Sequence, residues 1–196
     1  KEFFKNNQPI VLELGCGKGE YTVGLAEKFP HKNFIGIDIK GARMWRGART
    51  ATDNMMKNVG FLRTQIELID CCFSKGEVSE IWITFPDPQI KYRRRKKRLT
   101  SPYMLGKYKS ILSDDAFLHL KTDSQFLHGY TLGILEGLGC KILDSSYDID
   151  RQNPEDELLK IRTNYESIFR KKGLPITYIK FQLNKNDSST SSDFFF

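Results

Sequence analysis

The sequence predicts an α/β fold: a mostly parallel sheet of seven strands with helices on both faces and an antiparallel last strand. Three observations carry that prediction. Short apolar runs of strand length alternate with helical stretches, and strands separated by helices return in parallel. The first run, IVLEL at residues 10–14, passes directly into Gly15-Cys16-Gly17-Lys18-Gly19, a strand, glycine turn and helix unit. Acids then recur at strand ends, where open α/β sheets bind ligands.

In chain order, residues 10–14 read as a buried strand and 21–29 as a helix. Glycine at the turn between them lets backbone approach a ligand that a Cβ would block, and tolerates positive φ. A dinucleotide fingerprint needs its third glycine three residues after the second, and that position holds Glu20. With Glu13 ahead of it, the GxGxG spacing resembles motif I of the class I S-adenosylmethionine-dependent methyltransferases.

NFIGID, residues 33–38, is a second strand. Asp38 stands 23 residues after Gly15, placed to accept from ribose hydroxyls or to cap the helix from Gly41. That helix, 41–54, carries Arg43, Arg46 and Arg49 at intervals of three, a basic side that extends an anion track or is simply solvated. Residues 60–63 form a third strand with Thr64 and Gln65 at its tip. Residues 66–73 read as a helix with Cys71 and Cys72 packed or half-packed. The fourth strand is 80–84.

Ser101-Pro102 opens a helix to residue 112, as N-cap and first-turn proline. A fifth strand, 116–122, ends at Asp123, an acid placed for a ligand or as N-cap of the helix 124–138. Strands six and seven are 141–147 and 176–183, with 150–160 between them reading as a mobile loop. Thr163 and Glu166 form a capping box for a helix over 163–172, closed by Gly173. The domain is expected to span 1–183, and the tail 184–196, polar and then aromatic, is assigned no fold.

The 196 residues, 39% hydrophobic and 28% charged, suit one globular domain. No apolar run reaches the roughly 20 residues of a membrane span and there is no signal peptide. Four cysteines without metal-ligand or framework spacing point to reduced thiols in the cytoplasm and to no metal. The chain opens at Lys1 rather than Met, just before a strand, which suggests a preceding segment.

Charge is localised. The chain has 31 Lys+Arg against 24 Asp+Glu. Lys91, Arg93, Arg94, Arg95, Lys96, Lys97 and Arg98 lie together without an acid, and setting these seven aside leaves 24 against 24. A solvated loop or localisation patch accounts for a bare run, but this one follows FPDP at residues 85–88, where a strand end delivers Asp87. Charge concentrated there points to a polyanion, foremost nucleic acid.

Together, ELGCGKGEY, GIDIK, FPDPQIKYRRRKKRL, KTD and TNYESIF resemble the tRNA (guanine-N7)-methyltransferase family of the bacterial single-subunit type, from Glu13 to about Phe169. The resemblance implies the Rossmann-like class I methyltransferase fold and methyl transfer from S-adenosylmethionine, with S-adenosylhomocysteine as product, to N7 of guanine 46 in the tRNA variable loop. It carries over Glu13, Gly15, Gly17, Asp38, Gln65 and Asp87 to the cofactor. Lys91, Asp123 and the segment Thr163, Asn164, Tyr165 and Glu166 fall to the substrate. The family commonly has Trp where this chain has Gln89, Glu where it has Asp38, and an acid where it has Gln65. No obligate protein partner is implied, and a monomer or homodimer is expected.

N7 of guanine has an in-plane lone pair, so attack on a sulfonium methyl requires no base, and positioning with electrostatics dominates. Asp87 is the first candidate to stabilise the cationic methylated ring and Asp123 the second. The rivals are a methyltransferase of another RNA and a non-catalytic RNA-binding homologue, the latter opposed by the retained acids Glu13, Asp38 and Asp87.

Overall fold

The computed structural model describes residues 2–152 and 155–184. Asn153 and Pro154 of the expected loop, and residues 185–196 of the expected tail, lie outside the described residues.

Seven strands form one sheet: β1 Ile10–Leu14, β2 Asn33–Asp38, β3 Val59–Arg63, β4 Val78–Thr84, β5 Leu112–Thr122, β6 Lys141–Ser146 and β7 Thr177–Gln182. Their order is β3-β2-β1-β4-β5-β7-β6. Pairings from β3 to β5 are parallel, and β7 runs antiparallel to both β5 and β6. The fold is therefore the one the alternating pattern predicts, with a class I methyltransferase topology. The order reverses between β1 and β4, and the crevice at their carboxyl ends is the natural ligand site of such a sheet.

The helices are α1 Glu20–Lys28, α2 Gly41–Asp53, α3 Pro102–Ile111, α4 Gln125–Gly137, α5 Ile149–Gln152 and α6 Asn164–Lys171, with 3-10 helices at Ile66–Cys71 and Tyr92–Lys97. The first 3-10 helix replaces the expected α-helix over 66–73. Its tighter turn leaves Cys71 and Cys72 exposed, correcting their expected packing. Strand β5 begins earlier than expected, its pairing with β4 interrupted by an irregularity after Leu112. Among the described residues, no helix is long and apolar enough to cross a membrane.

Strand alternation divides the interior. Ile10, Leu12, Leu14, Ile81, Ile83, Leu118 and Leu120 pack with α3 and α4 on one face. The alternate residues Val11 and Trp82 pack with Tyr21, Leu25, Ile176 and Tyr178 on the other. Period two sends Glu13, Thr84, His119 and Lys121 to this second face. All four are buried, and a buried polar group must find partners. Glu80, Trp82, His119 and Tyr178 partner in part: Trp82 Nε1 donates to Glu80 Oε1 at 2.7 Å, His119 Nδ1 meets the Tyr178 hydroxyl at 2.7 Å, and His119 Nε2 lies 3.1 Å from Glu80 Oε1.

Candidate active site

The glycine turn after β1 has Gly15, Gly17 and Gly19 at φ of +77°, +54° and +73°. At Gly19 a Cβ would stand 2.5 Å from the Phe61 ring, so that position admits only glycine. At Gly15 and Gly17, no described atom lies within 4 Å of where a Cβ would be. The turn thus lines an open cradle with bare backbone, as a cofactor that approaches the chain closely requires. Gly15 and Cys16 donate to the Ile37 carbonyl, at 2.8 and 3.0 Å, fixing the turn to the end of β2.

Asp38, at that end, accepts from the Gly17 amide at 2.9 Å and from the Lys40 amide at 2.8 Å. Each carboxylate oxygen keeps lone-pair capacity for a further donor. The N-cap of α2 is Lys40. Gln65 is exposed just beyond β3, where the Thr64 amide donates to the Asp38 carbonyl at 3.2 Å.

Glu13 lies two residues before Gly15. Its carboxylate is buried and accepts from the Thr22 and Thr84 hydroxyls, the latter at 2.6 Å. Burial pushes its pKa up from 4.5 to about 7 against the pull of the two threonines, and the charge of Asp38 adds to the rise. Both oxygens being engaged, Glu13 is placed to support the turn from behind.

After β4 the chain turns through Phe85 at φ +48° and Gln89 at φ +46°. Left-handed backbone at non-glycine residues is strained, and persists where its surroundings determine it. The Phe85 amide donates to the Lys121 carbonyl at 2.8 Å. Asp87 is exposed and accepts from the Gln89 amide at 2.9 Å.

Arg98 completes the loop's support. It is buried, donates to the carbonyls of Gln89 and Ile90 at 3.3 and 3.4 Å, and lies over the rings of Phe126 and Tyr130. Its guanidinium is thus engaged by two carbonyls and two aromatic faces. Lys91, Arg93, Arg94, Lys96 and Lys97 are exposed, and Arg95 is half-buried over the Tyr92 ring at 4.1 Å.

Asp123 extends from β5 beside this loop. Ser124, not Asp123, caps α4, accepting from the Leu127 amide at 3.2 Å, which leaves the Asp123 carboxylate to the crevice. Burial holds the Asp123 carboxyl above its ordinary value. The Tyr165 hydroxyl is likewise raised, by burial first and then by the charges of Asp123 and Asp87. The Tyr165 ring lies 5.6 Å from that of Phe85.

Thr163 caps α6, its hydroxyl accepting from the Glu166 amide at 3.0 Å. The Asn164 amide donates to Glu20 Oε2 at 2.6 Å. Glu166 itself is fully buried. Its oxygens accept from Lys121 Nζ and Arg170 Nε, both at 2.8 Å. So engaged, the carboxylate holds α6 to β5. Residues 155–160, part of the loop expected to be mobile, are held: Tyr21 donates to the Leu158 carbonyl at 2.7 Å and Lys121 to the Leu159 carbonyl at 2.9 Å, and Lys121 also donates to the carbonyl of the next residue but one, Ile161, at 3.0 Å.

Lys121, Glu20 and the Thr22–Thr84 pair escaped the sequence reading. Only Lys121 left a local sign: a lysine in the inward slot between Leu120 and Thr122 is a buried cation awaiting an acid. Together the cradle, Asp38 and the paired acids offer a site for a hydroxyl-bearing cofactor beside a second ligand, with cations along one rim.

Residues 7–179 match the family model described as "Putative methyltransferase". The tRNA (guanine-N(7)-)-methyltransferase of Christiangramia forsetii is 60% identical over 185 residues, covering 93% of this chain and 82% of that protein. The protein of the same name from Bacteroides fragilis is 54% identical over 183 residues, covering 93% and 72%. Among solved structures, the 16S rRNA methyltransferase KamB superposes with a TM-score of 0.71 at 16% identity, covering 93% of this chain and 92% of that one. A SAM-dependent methyltransferase from Aquifex aeolicus gives 0.62 at 14% identity, covering 93% and 87%.

Proposed function

The chain belongs to the tRNA (guanine-N(7)-)-methyltransferase family, and we propose that it transfers a methyl group from S-adenosylmethionine to N7 of guanine 46 in the variable loop of cytoplasmic tRNA. The observation that carries the reading is the open glycine cradle with Asp38 fixed against the Gly17 amide at 2.9 Å, at the strand ends that also bear Asp87 and Asp123.

When bound, S-adenosylmethionine supplies an electrophilic methyl on a sulfonium. The backbone of Gly15 and Gly17 would line its cradle, Asp38 would accept from its ribose hydroxyls, and Gln65 would meet its adenine edge. Glu13 holds the turn in shape through Thr22 and Thr84.

The guanine must leave its stack to reach this depth, at a cost of a few kcal/mol. Tyr165 offers a ring face for the unstacked base, while Asp123, Thr163 and Asn164 take its polar edge. N7 carries its own lone pair, so no residue need remove a proton before it would take the methyl, the S–CH3 bond breaking to leave neutral S-adenosylhomocysteine. Asp87 favours the positive charge that grows on the ring, an interaction stronger in the transition state than in the ground state. Lys91, Arg93, Arg94, Arg95, Lys96 and Lys97 hold phosphates, fixing register rather than reading bases.

The test is transfer of labelled methyl from S-adenosylmethionine to total tRNA, followed by nucleoside analysis and mapping of the product. Label in 7-methylguanosine at position 46 is the expected result. Label in another nucleoside, or in ribosomal RNA only, overturns the assignment of substrate.

A further inference from the structure

We propose that Lys121 is a positioning residue: its buried ammonium tethers the segment 155–166 to the sheet, so that Thr163, Asn164 and Tyr165 stand at the crevice as a preformed edge for the substrate base. The proposal rests on the functional reading of that edge given above.

The geometry is specific. Lys121 is 0% exposed, and its Nζ donates to three acceptors spread over eight residues of one segment: the Leu159 carbonyl, the Ile161 carbonyl and Glu166 Oε2. An ammonium has three donors, so each is used. The rings of Tyr21 and Phe85 lie 5.2 and 5.9 Å from it, contacts that favour a cation. Glu166 passes the connection on to Arg170, which pairs with Asp150 at α5.

Without Lys121, the segment retains three polar ties to α1, from Tyr21 to Leu158, from Lys28 to Glu157 and from Asn164 to Glu20, and the last two are exposed. The residues just before Thr163 then lose both carbonyl anchors, and α6 loses its bond to β5. Because the Lys121 carbonyl also accepts from the Phe85 amide, one residue joins the Asp87 loop through its backbone to the Tyr165 edge through its side chain. That dual contact sets the spacing between the two halves of the site.

Removing one partner of a buried ion pair destabilises by leaving a charge unpaired, whereas removing both often does not. The experiment exploits this difference, using Lys121→Met, Glu166→Gln and the double variant Lys121→Met with Glu166→Leu. Steady-state kinetics with tRNA, S-adenosylmethionine binding by calorimetry, thermal unfolding and amide hydrogen exchange are measured on each.

We expect Lys121→Met to raise KM for tRNA by about tenfold or more, with kcat changed by less than about threefold. S-Adenosylmethionine affinity should hold, and exchange should accelerate across 155–169 but not in β1 or β4. The double variant should recover thermal stability while KM stays high. Glu166→Gln keeps shape and an acceptor, and carries the same readouts in smaller measure should Lys121→Met not fold.

Recovery of KM along with stability in the double variant would reduce Lys121 to a core residue and overturn the proposal, as would unchanged exchange over 155–169 in a folded variant. If the wild-type protein methylates no guanine while exchange still loosens as expected, the functional reading falls and the tether stands.

Discussion

Asp38 Oδ2 accepts a 2.9 Å hydrogen bond from the amide of Gly17, so the acid at the tip of β2 directly shapes the glycine turn after β1. The second oxygen takes the Lys40 amide at 2.8 Å, and the carboxylate is thereby aimed before any ligand arrives. Asp38→Asn puts an amide donor opposite one of those N–H groups and removes the charge. Hydrogen bonds to charged groups contribute about 1.5–3 kcal/mol. Calorimetry should therefore show S-adenosylmethionine binding weakened by at least about tenfold, with tRNA affinity retained. Unchanged cofactor affinity would remove Asp38 from the site.

Asp87→Ala separates chemistry from binding. Asp87 is exposed at the end of a loop whose shape is set elsewhere, by Arg98 and by the Lys121 carbonyl. Its truncation should leave the fold and tRNA affinity nearly intact while single-turnover methyl transfer falls by about a hundredfold or more. Turnover close to wild type would transfer the role to Asp123, and the matching Asp123→Ala measurement would then show the larger loss.

The cationic run divides into two behaviours. Arg93 and Lys97 are exposed and Arg98 is buried beneath aromatic rings. Each phosphate contact on single-stranded RNA contributes about 0.7 to the slope of log K against log salt. Arg93→Ala with Lys97→Ala should thus reduce the slope by roughly 1.4 and leave stability alone. Arg98→Ala should do the reverse, keeping the slope and costing about 3 kcal/mol of stability through lost carbonyl bonds and ring contacts. Filter binding over a salt series beside urea unfolding measures both. Equal slope changes for the two variants would mean that Arg98 reaches RNA after all.

These contrasts mark what the chain makes legible. Period-two strands, the glycine turn and strand-end acids are local patterns, and all seven strands were readable from them. Glu166 shows where local pattern stops. Three residues after Thr163, it has the spacing of a capping box, and the threonine half of that motif forms. Its carboxylate turns inward because Lys121, 45 residues away, lies buried without another acid. Arg98 behaves in the same way: it closes a cationic run, yet the chain re-enters the interior there and its guanidinium meets α4. Pairings of this kind depend on which face of the sheet a distant helix covers, and no local window contains that information.

Glu13 supplies a test in pH. Its pKa is raised from 4.5 to about 7, so between those values the folded protein holds a proton that the unfolded chain has released. Stability tied to that proton is fully present below pH 4.5 and is lost as pH rises through 7. At about 1.4 kcal/mol per unit, the loss amounts to at most roughly 3 kcal/mol. Glutamine mimics the protonated acid, one oxygen accepting and one group donating, because a threonine hydroxyl can rotate to receive the amide. Glu13→Gln should therefore match wild type in urea midpoint at pH 4.5 and exceed it at pH 8, at equal m. Asp38 is the facing charge in this window, and Asp38→Asn should shrink the gap. A difference independent of pH would show that Glu13 is not proton-linked to folding. Loss of S-adenosylmethionine binding by a well-folded Glu13→Gln would instead make the carboxylate a direct cofactor contact, despite the two threonines that now occupy it.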